Sequence, residues 1–132
     1  SSLEALSKFG RQVGMAFQIV DDALDFIGTP DQIGKPVGND LRQGLFTLPA
    51  IYYAEAHPDD ADVKALLNGN ARDPGTISRV VEAVRTSGAV DETLREARTF
   101  VARGQLALER LPSSPYVAAL SAVSRYIVDR NL

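Results

Sequence analysis

Apolar residues recur along most of this chain at steps of three and four, the spacing that gives an α-helix one water-avoiding face. Leu3, Leu6, Phe9, Val13, Phe17, Val20 and Leu24 keep that rhythm. They predict one long amphipathic helix, which Gly28 ends in a left-handed cap. Thr29, Pro30 and Gln32 then fit the N-cap, first-turn proline and reciprocal capping partner of a short helical turn. The stretch GKPVGND that follows has little apolar content and reads as a loop.

Thr47 to Ala56 predicts a short helix with Pro49 tolerated in its first turn. His57, the only histidine, precedes Pro58 in a turn and reads as solvated rather than catalytic. A further short helix runs from Ala61 to Leu67 and stops at Asn68-Gly69-Asn70. Asp73 then serves as N-cap with Pro74 at the first helical position, and Ile77, Val80, Val81 and Val84 form a buried face until Gly88. Val90, Leu94, Ala97, Val101, Gly104, Leu108 and Leu111 alternate steps of four and three, the pattern of a helix seam. Glu92, Arg95, Glu96, Arg98, Arg103 and Arg110 occupy its outer face. The seam is expected to pack inside a bundle; a partner-binding coiled coil is the alternative, and the small Ala97 and Gly104 argue against it. Past Pro112, Ser114 and Pro115 start a last helix with Val117, Leu120, Val123 and Ile127 as its apolar positions. No strand-like alternation and no internal repeat stands out, so the expected fold class is all-α.

Composition narrows the function classes. At 132 residues the chain suffices for one domain with a modest core. No apolar run approaches the ~18 residues expected of a membrane-spanning helix. There are no cysteines, which removes disulfides, zinc thiolates and cysteine nucleophiles. A net charge of −3 offers no basic face for nucleic acid. With this composition a soluble helical body in the cytoplasm is expected.

The candidate chemistry lies in the run FQIVDDALDFIGTPDQIGKPVGNDLRQGLFTLP, from Phe17 to Pro49. Asp21 and Asp25 are four residues apart and share a helix face, with Asp22 about 100° around. Like charges at that spacing cost a helix about 0.2–0.5 kcal/mol. Acids near the C-terminal end of the macrodipole cost about 0.3–1 kcal/mol each. A solvated acidic face is the bland explanation. A bound cation is the functional one, because it would reverse the sign of every one of these terms. Lys35, between Gly34 and Pro36, adds a mobile point charge suited to phosphate oxygens, and adjacent glycines let backbone N–H groups approach an anion. Carboxylates for a hard cation followed by a base for an anion are what a magnesium and diphosphate site requires.

At these residues the chain resembles the trans-isoprenyl diphosphate synthases, or polyprenyl synthetases. Their second aspartate-rich motif reads approximately GxxFQxxDDxxDxxGxxxxxGKxxGxDLxxGKxTLP. Gly14, Phe17, Gln18, Asp21, Asp22, Asp25, Gly28, Gly34, Lys35, Gly38, Asp40, Leu41, Gly44, Thr47, Leu48 and Pro49 all match it. The resemblance implies half of a large prenyl-synthase helix bundle. It also implies a magnesium-dependent prenyltransferase that joins isopentenyl diphosphate head to tail with an allylic prenyl diphosphate. Asp21, Asp22 and Asp25 would hold magnesium against the allylic diphosphate, with Asp21 the most direct ligand. Lys35 would contact the same diphosphate and share the catalytic role with Asp21 and Asp22. Phe17 and Gln18 would line the reaction centre, and Asp40 would support the metal shell or orient Lys35.

Two departures qualify the likeness. Leu45 stands where the family usually has a second diphosphate-binding lysine, and Arg42 is the candidate substitute. Members that make longer prenyl chains vary at that position, so Leu45 points towards them; a harmless change or an impaired enzyme is the alternative. No other DDxxD stands in the chain, and Asp59 and Asp60 read as the solvated start of the next helix. Residues 1–132 are therefore expected to be the C-terminal part of a synthase, inactive alone, whose first acidic motif lies upstream. Family members are homodimers in most cases, and some long-chain synthases pair with a small second subunit. A non-catalytic partner subunit and a helical scaffold are the competing readings. Gly10 and Gly14 fit either close helix packing or room for a prenyl tail near Phe17, with packing preferred.

Overall fold

A computed structural model of the chain describes residues 1–27, 36–69 and 73–129. Every regular element among them is an α-helix: α1 (Ser2–Ile27), α2 (Asn39–Arg42), α3 (Leu48–Ala56), α4 (Ala61–Leu67), α5 (Pro74–Thr86), α6 (Ala89–Leu108) and α7 (Pro115–Asp129). The chain divides into two compact units, one joining Ser1–Val20 to the stretch from Leu94 onward, the other being Asp21–Thr93.

In the first unit Phe9 and Val13 of α1 form a core with Ala107 and Leu108 of α6, and Leu111, Val117, Leu120 and Ile127 pack against it. The seam predicted on α6 is buried at Leu94, Ala97, Val101, Gly104 and Leu108. Gly104 lets α1 come close: a methyl group there would sit 3.1 Å from Cγ2 of Val13 and 3.5 Å from Cδ1 of Phe9. By contrast, a methyl at Gly10 or Gly14 meets no described atom within 4 Å, so the preferred packing role is not filled among the described residues.

The face of α1 is turned from the expected one. Leu3 is 78 % exposed, and Leu6 and Phe17 are 43 % exposed, whereas Ala5, Phe9, Val13, Ala16, Ile19, Val20, Ala23 and Phe26 are buried. Alanine is apolar enough to bury yet too small to register in a pattern of large residues, so the helix carries two apolar stripes and the narrower one is enclosed. A similar shift occurs on α7. Val123 is exposed while Ser124 and Val128 are buried, because the Ser124 hydroxyl is satisfied locally by donating to the Ser121 carbonyl at 2.7 Å.

In the second unit α2, α3 and α4 pack on α5. Leu41, Pro49, Ala50, Tyr53, Val63, Thr76, Val80, Val81 and Val84 are its buried side chains from these four helices. The predicted Asp73 cap is present, and Asp60, read only as the solvated start of the next helix, is a cap as well. The Asp60 carboxylate accepts from the Val63 N–H at 3.0 Å, which makes Asp60 the start of α4. Asp73 accepts from the Thr76 N–H at 2.9 Å, with Pro74 beginning α5. That backbone bond, with the Thr76 hydroxyl on the same carboxylate, holds the Asp73 carboxyl below its usual range. Arg79 of α5 forks onto Asp62 of α4, Nε and Nη2 each at 3.0 Å, and this hydrogen bonding lowers the Asp62 carboxyl likewise. Burial first, and then the hydrogen bond to Asp60, raises the Tyr53 phenol. His57 is exposed and stacks on Tyr53 with ring centroids 4.2 Å apart.

Candidate active site

The acidic end of α1 and the turn from Val37 to Leu45 form one local structure. Asp21, Asp22 and Asp25 occupy the last turns of α1, and no basic residue in its final turn offsets them. Asp21 and Asp22 are half-buried, whereas Asp25 is only 2 % exposed. An ionised carboxylate at that depth requires hydrogen-bond donors. The Asp40 N–H supplies one to Asp25 Oδ2 at 3.1 Å. One turn back along the incoming chain, the Gly38 N–H donates to the Asp25 main-chain carbonyl at 2.8 Å. Asp25 thus grips the turn by side chain and main chain together.

Gly38 makes the grip sterically feasible. Its φ of 71° is left-handed, and a methyl group on it would lie 2.6 Å from both γ carbons of Val81 on α5. Only a residue without Cβ fits. On the far side of the turn Arg42 donates from Nε to the Val37 carbonyl at 2.9 Å and from Nη1 to the Ser78 hydroxyl of α5 at 3.2 Å. The Leu45 N–H closes the structure on the Asp40 carbonyl at 2.9 Å, leaving the Leu45 side chain 55 % exposed. Arg42 also lines a cavity of about 350 Å³ with Leu41, Phe46, Leu66 and Ile77.

Of the residues singled out in the sequence, Asp25 and Asp40 are joined directly, and Asp21 and Asp22 share their helix end. Phe17 and Gln18 are exposed one helical turn earlier on α1. Two nitrogens of Arg42 are engaged by protein acceptors. Lys35, with Gly28, Thr29, Pro30, Gln32 and Gly34, lies outside the described residues, as does Asn70. Sequence reasoning missed α2 within the supposed loop, and it missed Ser78 and Val81. Nothing near those two residues in the sequence signals a site, since their part depends on α5 reaching the turn.

Among the described residues, no group of three histidine or acidic side chains is arranged to enclose a metal ion. Magnesium keeps several waters and is held through one or two carboxylates plus substrate phosphates. Asp21 and Asp22 are two half-buried carboxylates on the end of α1, the donor type such a site uses.

Residues 1–84 match the family described as polyprenyl synthetase, and the chain belongs to that family. It is 36 % identical over 130 residues to nonaprenyl diphosphate synthase of Mycobacterium tuberculosis, covering 98 % of this chain and 39 % of that protein. It is 33 % identical over 128 residues to heptaprenyl diphosphate synthase component 2 of Bacillus subtilis, covering 97 % of this chain and 36 % of the relative. The crystal structure of a Caulobacter crescentus polyprenyl synthase complexed with calcium and isoprenyl diphosphate superposes with a TM-score of 0.84 at 32 % identity, over 98 % of this chain and 40 % of the other. The chain therefore spans about two fifths of the length of these relatives. No helix among the described residues is long and apolar enough to cross a membrane.

Proposed function

We propose that the gene product carrying this chain is a long-chain polyprenyl diphosphate synthase. It joins isopentenyl diphosphate head to tail with an allylic prenyl diphosphate in a magnesium-dependent reaction. The observation that carries this reading is the acidic end of α1 with the Val37–Leu45 turn docked on it, in a chain of this family. In the reaction the allylic C–O bond breaks and diphosphate leaves with the electron pair. The double bond of isopentenyl diphosphate then forms the new C–C bond, and a proton is lost from the adjacent carbon.

Asp21 and Asp22 would hold magnesium, Asp21 most directly, and the ion would neutralise the charge that develops on the leaving diphosphate. Lys35 would add a cation to the same group, electrostatic stabilisation of the kind that lowers such a barrier. Phe17 and Gln18, exposed one turn earlier on α1, would line the reaction centre. Asp40 and Arg42 serve the placement of the turn that follows Lys35. The cytoplasm is the proposed location and a homodimer the proposed assembly. The word "component" in the name of the Bacillus relative supports testing a second subunit as well.

The test is elongation by the gene product with magnesium, isopentenyl diphosphate and a geranyl or farnesyl primer, with products resolved by length. Wild type should give long prenyl diphosphates, and Asp21→Asn should lose about 10²–10³-fold in rate. A folded wild type that makes no product would overturn the reading. It would favour a non-catalytic subunit, a role that the exposed Leu45 suggests.

A further inference from the structure

We infer that Asp25 is a positioning residue, the clasp that fixes the turn following Lys35 against the helix bearing Asp21 and Asp22, rather than a third metal ligand of equal standing. The inference rests on the proposed synthase reading for its consequence, though not for its geometry.

The three aspartates share a motif but not an environment. Asp21 and Asp22 are half-buried, and Asp25 is 2 % exposed. Its Oδ2 receives the Asp40 N–H at 3.1 Å and its carbonyl receives the Gly38 N–H at 2.8 Å. A charge-assisted bond from a main-chain N–H to a buried carboxylate is stronger than a neutral one and fixes direction as well as distance. Two further contacts hold the same turn from α5. Gly38 is seated so tightly on Val81 that a methyl would come within 2.6 Å of it, and Arg42 bridges the Val37 carbonyl to the Ser78 hydroxyl. The turn is thereby tied to α1 on one side and to α5 on the other.

Metal ligation and clasping separate under substitution. Asparagine keeps an oxygen that accepts an N–H but removes the charge a magnesium ligand needs; alanine removes both. Two readouts that do not require turnover are measured on the gene product. One is hydrogen exchange of the peptide Val37–Leu41. The other is the magnesium concentration for half-maximal binding of inorganic diphosphate. Asp25→Ala should speed exchange of that peptide about fivefold to tenfold, the worth of one net hydrogen bond, and Asp25→Asn should restore most of the protection. The magnesium requirement should stay within about twofold of wild type in Asp25→Asn while rising about tenfold or more in Asp21→Asn. Arg42→Gln should also speed exchange of the same peptide.

The inference is overturned if Asp25→Asn raises the magnesium requirement as far as Asp21→Asn does. It is equally overturned if Asp25→Ala, folded, leaves exchange of Val37–Leu41 unchanged. Should wild type fail to elongate prenyl chains, the synthase reading falls while the exchange comparison still decides the clasp.

Discussion

Two glycines in this molecule face a valine, and they do so for different reasons. Gly104 lies inside α6, where a methyl would meet Val13 at 3.1 Å in an apolar core of Phe9, Ala107 and Leu108. Gly38 lies in a turn at a φ of 71°, where a methyl would meet Val81 at 2.6 Å, next to the buried carboxylate of Asp25. The first arrangement brings two helices close and asks nothing unusual of the backbone. The second combines a left-handed backbone that only glycine adopts without strain, exclusion of any Cβ, and a buried carboxylate within a few residues. Local choices that specific tertiary contacts must enforce in this way gather at functional sites.

The sharpest way to separate the two regions is Asp21→Asn. It should abolish nearly all turnover while leaving stability unchanged or raised by about 0.3–1 kcal/mol, because it removes an acid from the C-terminal end of a helix. Denaturant unfolding of the same preparation checks this. A large loss of stability would mean that Asp21 belongs to the packing and not to the chemistry.

Gly38→Ala comes next. Left-handed backbone costs an ordinary residue about 1–2 kcal/mol and overpacking a further 1–3 kcal/mol, so a destabilisation of about 2–4 kcal/mol is expected. Val81→Ala in the same chain should recover the overpacking part, giving a non-additive double-mutant cycle. Strict additivity would contradict the contact.

Acid should also distinguish the regions. Asp62 and Asp73 have carboxyl groups lowered by Arg79 and Thr76 respectively. A lowered folded-state value means stabilisation that is present above the ordinary carboxylate range and is lost as pH falls through about 4 and below. Tryptic or hydrogen-exchange mapping during acid titration should therefore show α4 and α5 loosening, and Arg79→Ala should shrink the Asp62 share of that response. The smallest expected effect is Gly104→Ala. Helix propensity gains about 1 kcal/mol and crowding of Val13 offsets it, for a net change within about 1 kcal/mol of zero.

Sequence reading served these regions unequally. The α6 seam, the Asp73 cap and the all-α class follow from local rules of spacing and capping that the surrounding structure has no reason to overturn. The enclosed face of α1 was missed because Ala5, Ala16 and Ala23 form a stripe that a search for large side chains passes over. At the site, the motif identified the helix and the turn and set Asp21 apart as the most direct ligand, but it did not separate Asp25 from Asp22. What sets Asp25 apart is a tertiary contact fifteen residues away in sequence, to the Asp40 N–H. The same holds for α2, a helix of four residues. Its place is fixed by Asp25, Val81 and Ser78 more than by its own propensity, since so short a segment cannot sustain a helix alone.

The central claim is that the Asp21-Asp22 end of α1 holds diphosphate through magnesium. Calorimetric titration of the gene product with a non-reactive allylic thiolodiphosphate, at increasing magnesium, tests it most directly. The account predicts reciprocal coupling, in which magnesium tightens binding of the analogue and the analogue tightens binding of magnesium by the same factor, with the coupling lost in Asp21→Asn. Binding of the analogue that is indifferent to magnesium, or coupling that survives Asp21→Asn, would contradict it.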